Sequence, residues 1–136
     1  MSRKILIALV AAAGVVLSGP LWAHHSTAAE FDANKPITFA GTVKKVEWLN
    51  PHIYIHVEAK GADGNMVVYR VEGAAPNALY RAGWRMDSLK PGDPVTVKGQ
   101  LAKNETSMHI GMATITTADG KPVFAGGGPK RVTEEP

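Results

Sequence analysis

From residue 37 to residue 124 apolar and polar side chains alternate in short runs, the period of half-buried β-strands. The segment ITFAGTVKKVEWL alternates through Phe39, Gly41 and Val43, then changes phase to Val46 and Trp48. A slip of one residue at Lys44-Lys45 predicts a bulge or a sharp bend, because side chains on a strand repeat every two residues. HIYIHVEA places Ile53, Ile55 and Val57 on one face and His52, Tyr54, His56 and Glu58 on the other. GADGN is a turn, and MVVYRVE returns with Val67, Tyr69 and Val71 together. PNALYRAG predicts a short helix, with Pro76 in its first turn and Gly83 ending it. LKPGDPVTVKGQL is a turn and a strand with Val95 and Val97 inward, and SMHIGMATITT predicts a fifth strand. On that strand Met108 and Met112 share a face with Ile110 and are expected to fill the core, while His109 points the other way. Trp48 and Trp84 are expected in the core or at its mouth.

Three strands, a short helix and two further strands, the first strand strongly bent, is the order of an OB-fold. The expected fold is therefore all-β, a small five-stranded OB-like Greek-key barrel with one short helix between strands 3 and 4. Bending suits a first strand that serves both sides of a barrel. A small open β-sandwich competes, since it too is built from short alternating strands.

The flanks of this pattern define the rest of the chain. Residues 1–23 have the zones of a cleavable signal peptide: Arg3 and Lys4, an uncharged run from Ile5 to Leu17, a break at Ser18-Gly19-Pro20, and Ala23 before the cut. The apolar run is shorter than the ~20 residues that cross a bilayer. Cleavage there makes His24 the first mature residue and predicts an exported, periplasmic protein without a transmembrane segment. Residues 24–35 read as an extended leader, 36–125 as the barrel domain, and the Gly/Pro-rich 126–136 as a disordered tail.

Charge and composition then remove several functions. The chain carries 15 basic and 12 acidic residues, and loss of Arg3 and Lys4 leaves thirteen against twelve. That balance gives no basic face for nucleic acid. With no cysteine, thiolate metal sites and c-type haem attachment are excluded. H-E-x-x-H, G-x-S-x-G, Walker and G-x-G-x-x-G patterns are absent, so the sequence predicts a binding protein and no enzyme.

The motifs HHS at 24–26, FD at 31–32, NPH at 50–52, VEG at 71–73 and LKPGD at 89–93 together resemble an uncharacterised family of small exported bacterial proteins with a domain of unknown function. That resemblance implies no activity. In fold class and in its His, Met and Trp content the chain is also similar to the small periplasmic copper-binding OB-fold chaperones, though their Met-rich spacing is missing.

The five histidines carry the remaining chemistry. A free amino-terminal His24 offers an amine and a ring nitrogen that close one chelate on a divalent transition metal, copper above all. His25 or His52 would complete the set. His52 and His56 sit ~13 Å apart along a strand, too far to share an ion. Closing the hairpin at residues 60–64 sets Val57 opposite Val67, Ile55 opposite Tyr69, Tyr54 opposite Arg70 and His52 opposite Glu72. Glu72 is then the carboxylate that orients a histidine ligand; the plainer alternative is an ordinary surface ion pair. The alternative function is an OB-type surface on strands 2 and 3, with Tyr54, His56 and Arg70 binding a glycan, a peptide or an envelope protein.

Overall fold

A computed structural model describes residues 27–104 and 106–124. The signal segment, His24, His25 and the 126–136 tail lie outside the described residues.

The backbone order is α1 (Thr27–Glu30), β1 (Phe31–Glu47), β2 (Tyr54–Lys60), β3 (Met66–Glu72), α2 (Pro76–Arg81), β4 (Pro94–Ala102), β5 (His109–Thr117) and β6 (Pro122–Val123). The strands form one sheet in the order β3-β2-β1-β4-β5-β6. All neighbours are antiparallel except β3 and β5, which pair in parallel at Arg70 with His109 and Val71 with Ile110. The fold is thus all-β, with the short helix α2 between β3 and β4 and the strand order of an OB-fold. It is not a clean barrel, because β3 and β5 close the sheet over two residue pairs only. The sheet also has six strands where five were expected: PVF contributes a two-residue strand beside Ile115 and Thr116.

β1 bends where the phase of the sequence slips. It pairs with β4 as far as Thr42 and with β2 from Thr42 onward, with a register shift between Val43 and Lys45. Gly41 permits the close crossing at this corner, since a Cβ there would lie 2.5 Å from the Glu58 carbonyl oxygen. Residues 24–35 were expected to be an extended leader; 31–35 are extended, as the first residues of β1, and 27–30 are not. Thr27–Glu30 form a helical turn, and Phe31 already pairs with Ala102 of β4. The cause is Phe31 itself: it is 3% exposed, so the core captures this segment through one aromatic ring.

The β2–β3 hairpin keeps the predicted faces but differs in register by two residues. Val57 faces Tyr69, Ile55 faces Val71, and Tyr54 faces Glu72. The loop is closed one step further along the chain, by Gly61 N–H donating to Asn65 O and Gly64 N–H donating to Gly61 O, with Gly64 at φ 83°. Asp63 accepts from both the backbone and side-chain nitrogens of Asn65. A slip of two leaves every side chain on its own side of the sheet.

Val43, Ile53, Ile55, Val57, Val71, Val97 and Ile110 fill the interior at 0–1% exposure. Each contributes roughly 1.5–3 kcal/mol by its burial. Leu79 of α2 and Leu89 close one end, and Trp48 and Trp84 meet the Phe124 ring edge-on at 5.9 and 5.6 Å. The methionines do not fill the core as expected. Met108 is 43% and Met112 62% exposed, and only Ile110 of that trio is buried. Two residues of β5, Met112 and Ala113, oppose the single Gly99 of β4 between the pairs Lys98–Thr114 and Gln100–Gly111, and Met112 has φ 50°. The bulge breaks the alternation that would have turned Met112 inward, and Met108 precedes the strand.

Candidate functional site

Four side chains from four separated segments meet on the outer face near the β3–β5 closure. Glu30 ends α1, His52 precedes β2, Glu72 ends β3 and His109 starts β5. Each is held by backbone contacts independent of its side chain. Lys103 N–H donates to the Glu30 carbonyl at 2.9 Å. Gly73 N–H donates to Ile53 O, and Ile53 N–H to Ala74 O, which fixes His52 beside Glu72 beyond the end of the ladder. Arg70 N–H donates to Met108 O and seats His109 against β3.

The side chains form a row that alternates carboxylate and imidazole. Glu30 Oε1 lies 2.8 Å from His109 Nδ1, and His109 Nε2 lies 3.2 Å from Glu72 Oε2. The other oxygen of Glu72 contacts His52 Nδ1. The middle of the row is shielded, His109 and Glu72 each having 13% of the side chain exposed, while Glu30 and His52 at the ends are 45% and 41% exposed. Phe31 presents its ring edge to His109 at 5.1 Å, and Tyr54 lies 5.9 Å from the same imidazole. Gly111 leaves room for Phe31, since a Cβ at that position would sit 2.2 Å from the ring.

One atom of this row has no hydrogen-bond partner. His109 Nε2 is buried and, despite its distance to Glu72, makes no hydrogen bond. A buried polar atom left in this state is costly unless something occupies its free direction. Nδ1 faces Glu30 and Nε2 faces Glu72, so the ring stands between two carboxylates. Ligand atoms of Glu30, Glu72 and His109 all lie within 4.8 Å of one another, close enough to hold one ion. The carboxylates of Glu30 and Glu72 in one small site favour a cation there.

The structure brings the predicted His52 and Glu72 together, as diagonal neighbours instead of directly opposed residues. His24 and His25 lie outside the described residues. Tyr54, His56 and Arg70 share the outer face with the row. The Arg70 guanidinium lies 3.4 Å over the Tyr54 ring, and His56 Nε2 lies 3.1 Å from Glu47 Oε2. Glu47 also accepts from Lys45, and the bonds from Lys45 and then His56 lower its carboxyl from an ordinary 4.5 to about 2. His109 and Glu30 were not singled out from the sequence. His109 was legible only as the residue opposite Ile110 on its strand, and the pairing of β3 with β5 that gives it carboxylate partners links residues 39 apart.

Residues 13–111 match the model of a family of unknown function (DUF6152), and the chain belongs to that family. No curated protein and no solved structure matches it. Neither comparison therefore supports the resemblance to copper-binding chaperones. Among the described residues no helix is long and apolar enough to cross a membrane.

Proposed function

We propose that the mature chain is an exported, non-enzymatic protein that binds one divalent transition metal, copper foremost, at the Glu30–His109–Glu72–His52 row. The observation that carries this reading is the buried His109 Nε2, without a hydrogen bond and facing Glu72. An ion at Nε2 and Glu72 satisfies that nitrogen. Glu30 then plays the part usual for a carboxylate behind a ligating histidine, accepting from the other ring nitrogen and fixing its orientation. Imidazole and carboxylate donors suit Cu, Zn and Ni. His52, already on Glu72, is exposed enough to turn towards the same ion. His25 is five residues from Glu30, a reach of at most ~18 Å, so a donor from the amino-terminal segment can join His109 and Glu72 on the ion.

Calorimetric titration of Cu(II) into the native protein, His109→Gln, and a variant with one alanine inserted before His24 tests the reading. His109→Gln should bind at least about tenfold more weakly, as loss of a directly ligating group implies. The extended protein should fall between the two, because its terminal chelate is displaced. Equal affinity in native protein and His109→Gln would remove the row from the site.

A further inference from the structure

Arg70 stands apart from the other charged groups on the outer face. Lys44, Lys45, His52, His56 and His109 each contact a carboxylate there. Among the described residues the Arg70 guanidinium has no carboxylate within salt-bridge distance; it lies over the Tyr54 ring, 3.4 Å from its centroid. The side chain is half-buried on strand β3 and so cannot dissolve its charge freely into water. Stacking on an aromatic face satisfies the flat of a guanidinium and leaves its edge, with five N–H donors, unused. Such an edge matches two oxygens of a carboxylate or phosphate.

Its position adds the second component. The register places His56 opposite Arg70 and Arg70 opposite His109, three consecutive members of one row across β2, β3 and β5. Tyr54, beneath the guanidinium, has its ring 5.9 Å from that of His109. The unpaired cation is thus a cross-strand neighbour of the imidazole to which the metal is assigned. A metal held by three protein donors keeps a position open for an outside ligand. We infer that Arg70 and the bound ion together form a subsite for a small oxyanion, a carboxylate or a phosphate, with one oxygen on the ion and the others on the guanidinium edge. The row's two carboxylates repel an anion from the empty protein, so the subsite exists only when the ion is present. This inference rests on the metal reading above and names what the loaded site takes.

The test uses the full mature protein loaded with Co(II), whose visible absorption reports both uptake and a change of ligand. Acetate and inorganic phosphate are titrated separately into native protein, Arg70→Lys and Arg70→Met; the two anions distinguish the planar from the tetrahedral source of the same chemistry. Native protein should bind at least one anion about tenfold or more tightly than Arg70→Met, because charge-assisted paired hydrogen bonds are lost. Arg70→Lys should recover only part, since it keeps the charge without the fork. Cobalt uptake itself should be the same in all three, which also establishes that the variants are folded. Uptake with equal anion affinity in native protein and Arg70→Met overturns the subsite and leaves the metal reading standing. No cobalt uptake by the native protein overturns both.

Discussion

Gly111 is where packing and chemistry are joined, and Gly111→Ala tests that joint. An added Cβ would lie 2.2 to 2.4 Å from three carbons of the Phe31 ring, where carbon atoms settle at ~3.5–4.0 Å. The ring must therefore withdraw by roughly 1.5 Å, or the β5 backbone must shift by as much. Overpacking of this kind costs about 1–3 kcal/mol. No left-handed backbone angle is involved at Gly111, so the cost is steric. With a urea dependence of about 1–3 kcal/mol per molar for a small domain, the unfolding midpoint should fall by on the order of 1 M. Phe31 also presents its ring edge to His109 at 5.1 Å, so its displacement should disturb the metal-binding row and weaken Cu(II) binding. Gly64→Ala is the control. Gly64 has φ 83° and nothing within 4 Å, so the substitution costs about 1–2 kcal/mol through the backbone alone and should leave copper affinity unchanged. Phe31→Leu should relieve part of the strain, giving a favourable coupling in a double-mutant cycle. An unchanged urea midpoint for Gly111→Ala would refute the packing argument. A lowered midpoint with native copper affinity would show that Phe31 does not position His109.

Glu47, held at about 2 against an ordinary 4.5, contributes stability that is present above pH ~4.5 and lost as pH falls through about 2. Glu47→Gln should therefore be less stable than native protein at neutral pH and converge with it between pH 4.5 and 2, followed by denaturation across that range. His52→Ala should weaken copper binding less than His109→Gln does, because His52 lies at the exposed end of the row; an effect as large would make it an equal ligand. Intact mass of the exported protein should begin at His24, and a mature terminus at Ser26 or beyond would rule out the terminal chelate.

The strands and their faces were legible in the sequence because alternation is a local property. Ile53, Ile55 and Val57 had to share a face whatever they packed against, and the phase slip at Lys44-Lys45 located the bend of β1 without reference to any partner. The same locality explains the two-residue error in the hairpin: period two fixes faces, whereas the turn hydrogen bonds of Gly61, Gly64 and Asn65 choose the register. His52 and Glu72 could be paired from sequence because a single hairpin joins them. Glu30 and His109 could not, since they reach Glu72 only through the capture of Phe31 by the core and the two-pair contact of β3 with β5. The exposure of Met112 likewise follows from a bulge set by the fit of β5 to β4 and of Phe31 to Gly111. Away from the β5 bulge, alternation along the chain thus decided which side chains face outward. Which of the outward ones meet was decided by closure of the sheet, a contact whose energy comes from burying Val71 and Ile110 and not from the charged groups it brings together.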